Sequence, residues 1–240
     1  MFVNVYNFVS VFLLVSSLTG ETTAAKIFYL NVPNHVEKGT PTLLDCQYTF
    51  DPDIDEELVL KWYHNNSLIY QWIPGRRPHA LGILKGKLNL TEYYESNVTG
   101  KPNYRALYIA NPGLELTGNY TCTVSTFAAE DSQTKRMLVL APPKNFTISV
   151  GSSNATQQAV CVADGMFPLP KVTIVADYRE LDLTVVITQD PDGYFSIGAV
   201  ATIPNNRFYK KITCQLDIDE GYYFIRYERP FTPLKHGSLP

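Results

Sequence analysis

The sequence predicts an all-β protein of two β-sandwiches in series behind a secretory leader. Three observations carry that prediction. Four cysteines fall into two Cys…Cys units, Cys46 with Cys122 and Cys161 with Cys214. The first unit also holds Trp62 between its cysteines and Tyr120 two residues before the second of them. Short runs of alternating apolar and polar residues recur with turn residues between them, and no apolar segment of helical length has a 3.6-residue period. A content of 16 Tyr and 12 Phe against three Met suits pleated structure better than helix bundles.

The spacing has a physical reading. Stacked sheets lie about 10 Å apart, so one buried disulfide can join them, and an indole packed on that bridge fills the middle of the core. A Tyr two positions before the second Cys shares its face and can turn its hydroxyl back to the backbone at the strand corner. Cys46, Trp62, Tyr120 and Cys122 therefore mark an immunoglobulin-type sandwich, with Trp62 and Tyr120 as its core markers. The second unit lacks both markers, since Ile174 and Ile212 stand where the Trp and the Tyr are expected. Its assignment rests on cysteine spacing and strand rhythm.

From the N-terminus, residues 1–24 read as a cleaved signal peptide. The apolar run from Phe8 to Leu18 is too short to span a bilayer, and small residues follow at Gly20, Thr22, Thr23, Ala24 and Ala25. No Lys or Arg precedes the run, a departure from the usual basic n-region. No second apolar stretch of about 20 residues follows, and the C-terminus is no lipid-attachment signal. The expected product is secreted and extracellular, without membrane insertion after signal cleavage. Six Asn-x-Ser/Thr sequons, at Asn65, Asn89, Asn97, Asn119, Asn145 and Asn154, fit a glycoprotein of that compartment. In an oxidising compartment, four cysteines read as a disulfide framework. Of the three possible pairings, Cys46–Cys122 with Cys161–Cys214 keeps each bridge inside one domain.

Residues 26–140 form the expected variable-type domain. Lys26–Val32 is its first strand, with Ile27, Tyr29 and Asn31 on one face, and Thr42–Tyr48 follows with Leu44, Cys46 and Tyr48 inward. The acidic run Asp51–Glu57 is a loop before the strand Leu58–Tyr63, and Asn65-Asn66 turns into the strand Leu68–Ile73. The stretch from Pro74 to Pro102 exceeds what a constant-type domain needs and favours additional strands. Tyr104–Ile109 is a further strand, and Tyr120–Phe127 with Thr134–Leu140 makes the terminal hairpin. Ala141-Pro142-Pro143-Lys144 is the linker, because consecutive prolines stiffen the crossing and remove ladder donors. Residues 145–232 form the second immunoglobulin-like domain. Its strands are expected at Asn145–Val150, Gln157–Ala163, Lys171–Tyr178, Leu181–Thr188, Tyr194–Ile203, Tyr209–Asp217 and Tyr222–Glu228, and 233–240 is a tail.

Composition and motifs exclude several functions. A formal net charge of −3 offers no strongly basic surface for nucleic acid. No phosphate loop, dinucleotide fingerprint or nucleophile elbow is present, so no residue is assigned as catalytic, no cofactor is expected and the protein reads as a non-enzyme. The acidic loop has carboxylates at alternate positions, but Pro52, Glu56 in place of a turn glycine, and Trp62 at the twelfth position argue against a calcium loop. His35, His64, His79 and His236 have no ligand spacing, so no metal site is assigned. Arg76, Arg77, Lys85 and Lys87 form a cationic stretch suited to weak glycosaminoglycan binding as a secondary role.

Side-chain alternation supplies the binding hypothesis. With Trp62 inward, Lys61 and Tyr63 face out. Tyr70 and Trp72 share a face, taken as the outer one because Ile69 and Ile73 suit a core. With Cys122 inward, Thr121, Thr123, Ser125 and Phe127 face out. Tyr63, Tyr70, Trp72 and Phe127 would then form one exposed aromatic patch, a composition typical of binding hot spots.

The segment Leu58 to Pro74, with its Lys-Trp-Tyr, short turn and aromatic-x-aromatic, resembles the beaten-path family of insect immunoglobulin proteins. Leu116 to Ser125 resembles that family's strand F, although Leu116 replaces the Asp common there. The resemblance covers residues 28–140 well and the second domain only through Cys161, the Pro-rich loop and Cys214. It implies a tandem immunoglobulin protein that binds a cell-surface receptor of the sidestep type, an immunoglobulin-superfamily protein, in axon guidance or synaptic matching. By position, it places Lys61, Tyr63, Tyr70 and Trp72 in the receptor-facing sheet. Two rivals stand beside it. One is a soluble immune-type binder of microbial or host ligands through the loops around Asp51–Glu57 and Ala128–Gln133. The other is a homophilic adhesion or matrix component that forms homo-oligomers through the same patch.

Overall fold

The computed structural model describes residues 25–49, 57–88, 95–96, 102–153, 156–204, 209–218 and 223–230. The leader 1–24, the acidic residues 51–56, the sequons Asn89, Asn97 and Asn154, the turn at 219–222 and the tail 233–240 lie outside the described residues.

The first half contains β1 (Lys26–Asn31), β2 (His35–Glu37), β3 (Thr42–Thr49), β4 (Val59–His64), β5 (Ser67–Trp72), β6 (His79–Ala80), β7 (Glu95–Ser96), β8 (Pro102–Asn103), β9 (Leu107–Ile109), β10 (Gly118–Ser125) and β11 (Glu130–Leu140). A six-stranded sheet runs β2-β11-β10-β4-β5-β6, and a three-stranded sheet runs β1-β3-β9. β2 pairs with β11 in parallel, whereas the other ladders of the large sheet are antiparallel. Addition of β5 and β6 to the β11-β10-β4 sheet is the variable-type arrangement, and the long 74–102 segment supplies β6.

The core between these sheets holds Leu44, Cys46, Leu60, Trp62, Leu107, Ile109, Leu116, Tyr120 and Cys122, all at most 1 % exposed. The Cys46–Cys122 disulfide crosses it, with the two Cα atoms 6.4 Å apart. The Trp62 indole nitrogen donates to the Arg105 carbonyl at 3.1 Å. The Tyr120 hydroxyl donates back to the Leu116 carbonyl at 2.7 Å, as the strand-corner reading requires. A polar pair has no counterpart in the sequence-based expectations. Asp45 is buried on β3 and accepts from Arg105 Nε at 2.9 Å and Nη2 at 3.3 Å, while Gln47 Nε2 donates to it at 3.0 Å.

Two bulges change which residues face inward. A register shift between Ile27 and Tyr29 turns β1, so Leu30 joins Ile27 in the core while Phe28 and Tyr29 are exposed. Tyr29 and Asn31 therefore do not continue the face of Ile27, because the extra residue resets the two-residue period.

The second half contains β12 (Asn145–Ser153), β13 (Thr156–Met166), β14 (Lys171–Ala176), β15 (Arg179–Glu180), β16 (Leu183–Gln189), β17 (Phe195–Ile203), β18 (Lys211–Ile218) and β19 (Tyr223–Pro230). One sheet runs β12-β13-β17-β16 and the other β15-β14-β18-β19. The Cys161–Cys214 disulfide joins them, with Cα atoms 6.3 Å apart. Ile174 and Ile212 are fully buried, so aliphatic packing takes the places of the missing Trp and Tyr.

The proline-rich joint is tied down on both sides. Ala141 and Phe167 exchange two backbone hydrogen bonds at 2.8 and 2.9 Å, and Lys144 N–H donates to the Asp164 carbonyl at 2.8 Å. Leu138, Leu140, Ile218 and Phe167 form a small apolar cluster of their own there. Lys38 Nζ donates to the Tyr194 hydroxyl, and the Lys38 and Lys144 ammonium groups lie 5.0 and 5.2 Å from the Tyr194 ring centre.

Candidate recognition face

Residues directly opposed in an antiparallel ladder share a face. That rule builds the outer face of the six-stranded sheet from its register. Ser132, Thr123, Lys61, Gln71 and His79 form one row across β11, β10, β4, β5 and β6. Thr134, Thr121 and Tyr63 form the next row. Lys61, Tyr63, Gln71 and Thr121 are half-buried, and Ser132 and Thr134 are exposed. Thr121 and Thr134 hydroxyls share a hydrogen bond at 2.8 Å. The face is mostly polar around Lys61 and Tyr63, with Leu68 opposite Tyr63 on β5.

The same register corrects the predicted aromatic patch. Tyr70 opposes Trp62 and Trp72 opposes Leu60, so all four point into the core. Tyr70 is fully buried, and its hydroxyl donates to the Tyr104 carbonyl at 2.7 Å. Burial pushes that hydroxyl well above the usual phenol range. Trp72 is buried and meets the Tyr104 ring edge-on at 6.0 Å. The reason is a bulge: β4 and β5 shift register between Trp62 and Tyr63, leaving Ile69 as the extra residue beside Tyr70. Ile69 and Tyr70 are consequently both buried, and alternation counted through Ile69 assigns Tyr70 and Trp72 to the wrong side.

The remaining predicted contact residues are scattered. Thr123 lies on the outer face but is buried between its neighbours, a correction to its predicted availability. Ser125 is half-buried, with its hydroxyl 3.5 Å from the Val59 carbonyl. Phe127 is 75 % exposed, but it sits on the tip of the β10–β11 hairpin rather than beside Tyr63. Thr126 fixes that tip by accepting from the backbone of Ala128 and Ala129 at 3.3 and 3.1 Å.

The predicted cationic stretch divides in two. Arg76, Arg77 and His79 border a cavity of about 130 Å³ with Gln71 and Ile73, at the β6 end of the outer face. Lys87 is instead ion-paired with Glu115. Of the described sequons, Asn65, Asn119 and Asn145 are exposed. Asn65 and Asn119 are neighbours, because the Asn65 side chain accepts from the Asn119 N–H at 2.9 Å. Among the described residues no three His, Cys, Asp or Glu side chains gather as a metal site. No helix of the described residues is long and apolar enough to cross a membrane.

Comparison with known proteins agrees with this architecture. The chain is similar to bovine butyrophilin, at 16 % identity and a TM-score of 0.66, over 87 % of this chain and 98 % of that one. It is also similar to the extracellular portion of mouse CD200RLa, at 18 % identity and a TM-score of 0.51, over 80 % of this chain and 95 % of that one. Among curated proteins, mouse T-lymphocyte activation antigen CD80 is 23 % identical over 158 residues, covering 62 % of this chain and 48 % of that protein. Mouse tapasin-related protein is 28 % identical over 139 residues, covering 57 % of this chain and 29 % of that protein. The chain thus spans half or less of the length of the curated relatives it matches. No family model matches the sequence. The fold is that of the immunoglobulin superfamily, with a variable-type first sandwich.

Proposed function

We propose that this chain is an extracellular recognition protein that binds a protein partner through the outer face of its first sandwich. The observation that carries the reading is the row geometry around Lys61 and Tyr63. The sheet face presents hydroxyl and amide groups around one half-buried tyrosine, on a scaffold held by a disulfide and a filled core. Tyrosine with a flanking cation is a common hot-spot composition. Lys61, Tyr63, Gln71, Thr121 and Thr134 would contact the partner, with no chemical reaction performed. The similarity to CD80 and to the CD200RLa extracellular portion supports a cell-surface recognition role.

The finer reading, a ligand of sidestep-type receptors in axon guidance, rests on motifs that are largely core. Trp62, Tyr70, Trp72, Tyr120 and Cys122 are buried, so they specify the sandwich more than the receptor. Lys61 and Tyr63 are what that reading retains on the surface. Phe127 supports a second reading, recognition through the hairpin tip as in an immune-type binder. The Arg76, Arg77 and His79 cavity supports a subsidiary sulfated-sugar contact.

A binding screen of the secreted chain against immunoglobulin-superfamily ectodomains, sidestep-type receptors included, tests these readings together. Tyr63→Ala with Lys61→Glu is expected to weaken the partner found by at least tenfold while leaving the melting temperature within a few degrees. Undiminished binding by that variant, with loss in Phe127→Ser, would move the site to the hairpin tip. Self-association at tens of micromolar, abolished by the same double substitution, would make the face homophilic.

A further inference from the structure

The second sandwich carries a feature that the reading above leaves unused. Among the described residues β16 ends its sheet, so one side of its backbone has no neighbouring strand there. Its residues, Leu183-Thr-Val-Val-Ile-Thr-Gln189, contain neither charge nor proline, and it pairs with β17 without a register shift. Natural edge strands are normally guarded by a charge, a proline, a bulge or a covering loop.

Both faces of β16 are open. Leu183, Val185 and Ile187 oppose the buried Ala201, Ala199 and Ile197, so they point to the inner side of the sheet. Even so, Val185 is 39 % and Ile187 48 % exposed. The cause is topological. β12 and β19 meet along one side of the sandwich, which leaves β16 opposite the two-residue β15, too short to cover it. On the outer side, Val186 (64 % exposed) and Val162 (41 %) flank Gly198, where an added Cβ would meet nothing within 4 Å. The result is a shallow apolar trough beside an unpaired edge.

Charge defines what fits there. Glu180 and Asp182 precede the strand, Asp190 and Asp192 follow it, and all four are exposed. An open cavity of about 510 Å³ lies at the leading end, lined by Glu180, Asp182, Thr184, Gln158 and Val200 with Arg179. We propose that the β16 edge docks an extended polypeptide strand from another protein, apolar and β-branched at its centre and carrying Lys or Arg at both ends. Main-chain hydrogen bonds to the edge would hold it, Val185, Val186 and Ile187 would pack its alternate side chains, and the flanking carboxylates would pair with its ends.

A second copy of the same strand fits worse. An isologous antiparallel pair must keep inner residues opposite inner residues, so its two-fold axis runs midway between one residue and that residue's own copy. Centred on Val186, the register of full overlap, it sets Asp182 against Asp190, the residues that bound the strand. Like charges directly opposed are destabilising, so self-pairing at full overlap is disfavoured.

The test uses the whole secreted chain and two labelled nine-residue peptides, KRVTVTVRK and EDVTVTVDE, read by fluorescence anisotropy. Saturable binding of the basic-flanked peptide, at least tenfold tighter than the acidic-flanked one, is expected. Ile187→Lys should weaken it at least tenfold, and Glu180→Lys with Asp182→Lys should reduce or reverse the preference between peptides. Should Ile187→Lys fail to fold by near-ultraviolet circular dichroism, Val186→Lys, on the outer face, serves in its place. Equal binding of the two peptides, no saturable binding, or unchanged binding in the folded lysine variants would overturn the proposal. So would a dimer in sedimentation that Val186→Lys dissolves, because the edge would then belong to a second copy. None of these outcomes depends on Lys61 or Tyr63, so the first-sandwich reading stands or falls separately.

Discussion

Tyr70 offers the sharpest test of the inward-facing register. Its side chain is fully buried opposite Trp62, and its hydroxyl donates to the Tyr104 carbonyl at 2.7 Å. Tyr70→Phe removes that one hydrogen bond while leaving the ring, which costs about 1 kcal/mol. For a sandwich of about 110 residues this lowers the melting temperature by roughly 4 °C. Tyr70→Ala removes the ring as well and leaves a cavity against the indole of Trp62, at a cost of about 3–5 kcal/mol. That is a large part of the whole stability of an ordinary domain. Tyr63→Ala, one strand away on the opposite face, supplies the control and is expected within about 1 kcal/mol of the parent. Guanidinium denaturation followed by tryptophan fluorescence reads all three, since Trp62 and Trp72 both lie in the first sandwich. A Tyr70→Ala protein within 0.5 kcal/mol of the parent would refute the register and restore Tyr70 to the surface.

Three further outcomes follow from the same core. Burial raises the hydroxyls of Tyr70 and Tyr120 above the phenol range, and pushes Tyr48 up to about 12. An acid whose folded pKa is raised gives stability that is complete below the unfolded value near 10 and lost as pH climbs toward the folded one. Tyr48, Tyr70 and Tyr120 together should therefore lower stability by about 4 kcal/mol per pH unit above pH 10, measured by melts from pH 8 to 11.5; a flat profile would contradict their burial. Asp45→Asn breaks the partly buried ion pair with Arg105 and is expected to cost about 2–3 kcal/mol by denaturant titration, against near zero were the pair fully solvated. Replacing Cys46 and Cys122 together by Ala releases a loop of 76 residues and should cost about 4 kcal/mol by chain entropy, with the loss visible as a lower denaturation midpoint.

Much of the first sandwich was readable because its markers are local or tied to fixed spacings. Cys46, Trp62, Tyr120 and Cys122 declare an inter-sheet bridge, an indole on it and a strand corner, and the structure places all four where that chemistry needs them. Strand positions followed from alternation and turn residues to within a few residues, as with Thr42–Tyr48 against Thr42–Thr49. The 74–102 length excess pointed to extra strands, and β6 from that segment extends the sheet beyond β5 accordingly. The Asp45–Arg105 pair was invisible because its members are 60 residues apart, one on β3 and one in the segment before β9, and only tertiary packing joins them. The exposed β16 strand gave the opposite illusion, since an apolar β-branched run reads as a core strand until the short β15 is seen to leave it open.

The face of Tyr70 shows where reading the chain alone stops. Alternation has a period of two, and one inserted residue reverses every side chain beyond it. Nothing in Leu68-Ile69-Tyr70-Gln71-Trp72 announces a bulge, because both parities place bulky residues inward. The choice is made by the partner strand, where Trp62 and Leu60 already face the disulfide and draw Tyr70 and Trp72 to their side. The sequence by itself determined the sandwich, its bridge and its corner, because covalent spacing and local geometry suffice for those. Tertiary structure alone decided which residues form the outer face of the large sheet, because facing is a property of paired strands rather than of either strand.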